Sequence, residues 1–281
     1  MLYDLQKFND YLIRLEKSDA TRQKYLRDAR QFVLWLCTGK YTLDKETALS
    51  YKNALAAVYT PSSVNAKLSA VNTYLTFLER PDCKIKTLKM QKQTFAPTER
   101  ELTRAEYTRL LAAAKKRKNK QLFLLLQTLC GLGLRVSELK CVTVEAAKNK
   151  TALIACKGKT RAIPLPGALC DALLRYADGR KIESGPVFIT KGGLPVDRSN
   201  IWKMMKLLCK KTDVPYAKVF PHNLRHLFAR TFYAREKDVV RLADILGHSS
   251  IDTTRIYTME SGELRRRAIE RLGLADPDIR P

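Results

Sequence analysis

Thr151-Ala152-Leu153-Ile154-Ala155-Cys156-Lys157-Gly158-Lys159-Thr160-Arg161-Ala162-Ile163-Pro164-Leu165 carries the one clear strand signal in the chain. Residues 151–156 and 161–165 are short apolar runs on either side of Lys157-Gly158-Lys159-Thr160, a pattern that predicts a β-hairpin with two lysines at its tip. Residues 187–190 are apolar enough to add a further short strand. Elsewhere the periodicity is helical. Leu2, Leu5, Phe8, Leu12 and Leu15 form one stripe, Leu26, Ala29, Val33 and Leu36 a second, and Val64, Leu68, Val71, Leu75 and Leu78 a third that starts at Thr60-Pro61. Residues 1–80 therefore read as four helices without a strand.

Between residues 81 and 100 the stripes fade into a stretch containing Lys84, Lys86, Lys89, Lys92, Thr94 and Pro97, which reads as an extended linker. Thr103-Arg104-Ala105-Glu106 has capping-box spacing, so a new helix starts there. An apolar helix over residues 121–130 leads through Gly131 and Gly133 to Arg135, and everything after about Asp197 reads helical to residue 272. The expected fold is mainly α with a small β-sheet. We draw its parts as a helical domain over residues 1–92, a linker over 93–102 and an α+β domain over 103–281.

Lys and Arg number 52 against 28 Asp and Glu, a formal net charge of +24, which makes a polyanion the expected partner. No stretch reaches the roughly 18 apolar residues of a membrane span; residues 122–134 come nearest and are broken by Gln127, Thr128 and two glycines. Met1-Leu2-Tyr3-Asp4 does not open a signal peptide. Seven cysteines, an odd number with no CxxC pair, suit a reducing compartment better than a disulfide framework or zinc site, so a cytoplasmic protein without membrane contact is expected. Arg22, Lys24, Arg27, Arg30, Lys52 and Lys67, taken as a group, are expected to line a DNA contact.

All three histidines fall in one window, in His222-Asn223-Leu224-Arg225-His226 and Leu246-Gly247-His248, and Tyr257 follows nine residues after His248. Attack on a phosphodiester needs donors on the non-bridging oxygens, a proton acceptor and a nucleophile, and this window holds all three. Arg225 lies one helical turn after His222, on the same face. Arg135 stands where a helix begins, so its guanidinium and nearby amides can converge on an anion. Guanidinium forks match phosphate oxygens. Lys157, at the hairpin tip, could donate a proton to a departing oxygen. A rival use of His222 and His226, at i and i+4, is zinc binding, but no Glu stands between them.

Residues 131–139, 157–165, 222–229 and 246–258 resemble, in order and approximate spacing, the boxes of the tyrosine recombinases, the phage-type integrase family. The resemblance is close over the C-terminal domain and loose over the N-terminal one. It implies that Arg135, Lys157, His222, Arg225 and His248 surround the scissile phosphate of double-stranded DNA. Tyr257 then attacks to leave a 3′-phosphotyrosyl link and a free 5′-hydroxyl, with no metal or nucleotide cofactor. Arg135 and Arg225 would clamp the phosphate oxygens, His222 would take the tyrosine proton, His248 would donate to a phosphate oxygen, and Lys157 would be the general acid. Glu138 would orient Arg135, and His226 would pack behind. The resemblance also implies a homo-oligomer, a tetramer on two DNA sites, with an amphipathic helix over residues 262–272 docking on a neighbouring protomer.

The sequence departs from the family pattern twice. The hairpin tip is one residue short, so Lys159 competes with Lys157 for the acid role, and Glu236-Lys237 stands where a glycine is usual. A type IB topoisomerase and a DNA-binding protein that no longer cleaves are the rival readings.

Overall fold

The computed structural model describes residues 4–90, 100–156, 159–248, 250–254, 257 and 270–272, with the side chains of residues 156, 159 and 252 left aside. The chain divides into two compact units, Met1–Lys92 and Gln93–Pro281.

The first unit contains the four expected helices: α1 Leu5–Arg14, α2 Asp19–Thr38, α3 Lys45–Val58 and α4 Pro61–Phe77. Their stripes meet in a core of Phe8, Leu12, Phe32, Leu36, Leu55, Leu68 and Tyr74, all at most 3 % exposed. Proline occupies the first turn of α4, as Thr60-Pro61 implies, but Thr60 gives its hydroxyl to Ser63 Oγ at 3.0 Å and caps no amide.

Residues 81–90, expected as extended linker, pack onto this unit. Pro81–Cys83 forms a 3-10 turn, and Cys83 and Ile85 are buried. Two asparagines of α4 hold the strap that follows, each pairing with the backbone in both directions. Asn72 accepts from Ile85 N and donates to Ile85 O, both at 2.8 Å, while Asn65 accepts from Leu88 N at 2.7 Å and donates to Leu88 O at 2.9 Å. A side-chain amide that mimics a strand partner satisfies backbone that lysine-rich composition would leave to water. Of the 93–102 linker, residues 93–99 lie outside the described residues, and Leu102 is fully buried in the core of the second unit.

Lys67 differs from its expected role as well. Its ammonium pairs with the buried Asp28 carboxylate at 3.3 Å and with Gln31 Oε1 at 2.6 Å, so it is a structural charge. Lys52 donates to Lys86 O at 2.9 Å. The Arg27 side chain remains 74 % exposed.

In the second unit α5 Arg104–Lys116 opens on the capping box, with Thr103 and Glu106 each satisfying the other's amide. Next come α6 Lys120–Leu132, a 3-10 segment Val136–Cys141, α7 Val144–Lys148, and the hairpin β1 Thr151–Cys156 with β2 Lys159–Pro164. The strands pair antiparallel, Cys156 opposite Lys159 and Ile154 opposite Arg161, so Lys159, expected at the tip, lies in β2; Lys157 and Gly158 are outside the described residues. Among the described residues the sheet has these two strands alone. Residues 187–190, offered as a third, make only an isolated bridge, Ile189 to Pro195.

Helices α8 Gly167–Asp178, α9 Arg198–Cys209, α10 Pro221–Glu236, α11 Val239–Leu246 and α12 Ile251–Thr254 complete the described part. The helical reading from Asp197 onward is interrupted between α9 and α10, around Pro215, and again at Gly247. Glu236-Lys237 still makes the turn for which glycine is usual. Lys237 takes φ +56° as the left-handed cap of α10 and donates its amide to Tyr233 O. Of residues 262–272, only 270–272 are described, and they are exposed.

Candidate active site

Three arginines converge on one carboxylate and one backbone turn. Gly133 closes α6 with φ +60°, and a Cβ there would stand 2.4 Å from the Phe228 ring, so the left-handed turn and the close approach of α10 both require glycine. The turn delivers Arg135 to the start of the Val136–Cys141 segment. There the Arg135 amide donates to Glu138 Oε2 at 2.8 Å and Nη1 to Oε1 at 2.9 Å. Arg135 also reaches Leu246 O at 3.2 Å and Gly247 O at 3.3 Å, while about a third of its side chain (34 %) stays open to solvent.

Arg225, one turn into α10 from His222, is 1 % exposed. It donates from Nη1 to Gly133 O at 2.8 Å and from Nη2 to Leu246 O at 2.7 Å, and Nη2 lies 3.0 Å from His248 Nε2. Burial lowers its pKa to about 10, with repulsion from Arg135 adding to the effect, yet it stays cationic at neutral pH. Its position ties the end of α6 to the end of α11.

The imidazoles are held neutral. Burial, followed by the charges of Arg225, Arg135 and Arg161, brings His248 down to about 4. His226 falls to about 4 through burial and its neighbour His222, and His222 is lowered by burial and by Arg225, Arg135 and Arg198. His222 and His226 meet edge to face at 4.4 Å between centroids, and His226 meets the Tyr257 ring in the same manner at 5.0 Å. His248 stacks with Tyr257 at 6.2 Å between centroids.

Tyr257 is 6 % exposed and packs with Ala229, Leu242 and Leu246. Burial raises its phenol pKa, while the adjacent Arg225 and then Arg135 pull it down. The structure thus gathers Arg135 and Arg225 on the Leu246 carbonyl, His248 against Arg225 and Tyr257 against His248, with His222 beside them through His226. His226, expected as packing, lies between His222 and the tyrosine. Lys157 lies outside the described residues, as does the side chain of Lys159. Among the described residues no cluster of His, Cys, Asp and Glu could hold a metal ion, and no helix is long and apolar enough to cross a membrane.

Sequence reasoning missed Arg161. Its guanidinium grips Glu138 with two hydrogen bonds, Nη1 to Oε1 at 3.1 Å and Nη2 to Oε2 at 2.9 Å, and its Nε donates to Ile245 O at 3.1 Å. The available signal was strand alternation. Arg161, Ile163 and Leu165 share a face, and the latter two are buried, so an arginine at that phase must find an internal counter-charge. Burial alone would raise the Glu138 pKa, but hydrogen bonds from Arg161 and Arg135 reverse that and hold it below the ordinary carboxylate range.

The sequence model of the phage integrase family matches residues 100–263, more than half of the chain. Tyrosine recombinase XerA of Thermococcus kodakarensis is 31 % identical over 97 % of this chain and 96 % of its own length. Among solved structures, XerH site-specific recombinase bound to its difH substrate superposes with a TM-score of 0.70 at 18 % identity, covering 89 % of this chain and 78 % of that one. The Tn1549 transposon integrase in complex with transposon right end DNA gives 0.68 at 18 %, covering 96 % and 99 %. Motifs, fold and relatives agree, and the chain belongs to the phage integrase family, the tyrosine recombinases, enzymes that cleave and rejoin DNA.

Proposed function

We propose that this chain recombines double-stranded DNA at specific sites through a 3′-phosphotyrosyl intermediate, as a homo-oligomer that reaches a tetramer on two sites, in the cytoplasm. The observation that supports this best is the convergence of Arg135, Arg225, His248 and Tyr257 on the turn at Leu246-Gly247. Relatives whose solved complexes contain DNA support the choice of substrate.

In this reading a phosphodiester sits against the solvent-open side of Arg135, with Arg225 behind it. The Tyr257 oxygen bonds to phosphorus as the bond to the 5′ oxygen breaks; the phenol proton passes to the histidine pair, in which His226 stands against the Tyr257 ring and His222 against His226, and Lys157 supplies a proton to the leaving oxygen. Fixed cations stabilise the extra charge of the pentavalent transition state. Burial first and the arginine charges second depress His248; a bound phosphate's negative charge favours the protonated ring against both, and in that form His248 donates to a phosphate oxygen. Religation reverses these steps, since the phosphotyrosyl bond conserves the energy of the broken one.

The test starts from fragmented, nicked genomic DNA of the source organism. Adducts that resist denaturant are captured and sequenced to give the site, and two distinguishable duplexes carrying it are incubated together. Joint products between the duplexes are expected. Relaxation of supercoils without joint products would favour the type IB topoisomerase reading, and absence of any adduct would favour a protein that only binds DNA.

A further inference from the structure

We infer that Arg161 is a positioning residue for the reaction: through Glu138 and the Ile245–Gly247 turn it fixes where Arg135 presents its guanidinium to the scissile phosphate. The inference rests on the phosphodiester reading of the site.

Arg135 has a third of its side chain in solvent and a flexible stem, so its aim depends on what holds its inner edge. Two supports do so, the Glu138 carboxylate and the carbonyls of Leu246 and Gly247. Arg161 fixes both. It closes a two-point fork on Glu138, the geometry in which guanidinium and carboxylate lock each other's orientation, and its third donor takes Ile245 O, one residue before the carbonyls that Arg135 uses. Gly247 lies directly against it. With φ +63°, a Cβ there would stand 2.4 Å from Arg161 Nη1, so the turn is shaped around this guanidinium.

The charge count points the same way. Glu138 is 3 % exposed and faces three guanidiniums, with Arg225 Nη1 at 3.9 Å from Oε2. One carboxylate cannot neutralise three cations, so the surplus positive charge is held in place facing Arg135's open side. Arg161 itself is only 16 % exposed, and each of its three guanidinium nitrogens donates internally, to Glu138 or to Ile245 O, so it acts on the phosphate through Arg135. It stands on β2, rigidly paired opposite Ile154, which makes it the fixed point from which the other two supports are set.

The test compares native protein with Arg161→Gln, Arg161→Lys and Arg135→Gln. Two versions of the captured site duplex are used, one with an ordinary scissile phosphodiester and one with a neutral methylphosphonate there, which no longer needs a cation on that oxygen. On the phosphodiester at saturating DNA, Arg161→Gln should form adduct at least roughly tenfold more slowly, as expected for a misaimed catalytic group, with DNA affinity unchanged and Arg161→Lys in between. On the methylphosphonate, the defects of Arg161→Gln and Arg135→Gln should shrink together. A defect in Arg161→Gln that is equal on both substrates while Arg135→Gln is rescued would overturn the inference and leave the site reading intact, as would a native rate on the phosphodiester. If Arg135→Gln is not rescued, the role of Arg135 fails and the inference fails with it. Thermal melting identifies a variant that does not fold; Arg161→Lys, which keeps the charge but not the fork, then carries the comparison by the same two-substrate criterion.

Discussion

His248 Nε2 accepts a hydrogen bond from Arg225 Nη2 at 3.0 Å, and His248 Nδ1 lies 2.8 Å from Thr254 Oγ1. A guanidinium can only donate, so Nε2 must be the acceptor, and the neutral ring carries its proton on Nδ1 and gives it to the threonine. At neutral pH, nitrogen-detected NMR of the free protein should show the Nδ1–H tautomer for His248, with protonation delayed to about pH 4. An Nε2–H tautomer, or titration near 6.5, would contradict this pairing.

Gly247→Ala combines a left-handed backbone with a collision against Arg161. The substitution should destabilise the second unit by about 1–3 kcal/mol, in the range for a strained non-glycine backbone. Adduct formation should also fall, because the carbonyls that Arg135 uses lie on this turn. Chemical denaturation of the pair checks it; an unchanged midpoint would mean that the turn is not shaped around Arg161.

Stability should depend on pH through the buried histidines. Their folded pKa values lie below the unfolded one, so between about 6.5 and 4 the unfolded chain binds more protons and stability declines as pH falls through that window. Glu138, lowered from 4.5, adds its own loss only at still lower pH, which leaves 4.5–6.5 to histidine. Melting temperatures of native protein and His226→Asn across this range should show a shallower slope for the variant. Parallel slopes would show that His226 titrates normally in the fold.

In the helical unit, Lys67 and Arg27 look equivalent in sequence but should behave differently. Lys67→Ala leaves the buried Asp28 with only the exposed Arg27 at 3.9 Å and should cost about 1–3 kcal/mol of stability, while Arg27→Ala, which keeps the closer Lys67 pair, should change stability little and weaken duplex binding modestly. Denaturation and salt-dependent binding to a random-sequence duplex separate the two effects. Equal stability losses would contradict the assignment.

Much of this was legible because residues of rare type or strong periodicity stood together. Three histidines in one window with Arg225 and Tyr257 located the site, and the apolar stripes located the four N-terminal helices. Contacts between distant residues were not legible. Asn65 and Asn72 pair with residues 88 and 85 through geometry that composition does not encode, which is why the strap read as a linker. Lys67 was assigned by charge alone, since its partner Asp28 lies 39 positions away. Lys237 holds a left-handed turn without glycine, where tertiary packing overrides local preference. Arg161 was hidden for a different reason: it sits in a strand whose neighbours form an apolar run, and its partner Glu138 is 23 positions away.

The most direct test of the account is to identify the residue that carries the DNA. Adduct formed on the captured site duplex should be digested with protease and nuclease, and the modified peptide read by mass spectrometry. The account predicts a nucleotide joined through its 3′-phosphate to Tyr257, and no adduct from Tyr257→Phe under the same conditions. Attachment at any other residue, or an adduct that persists in Tyr257→Phe, would contradict it.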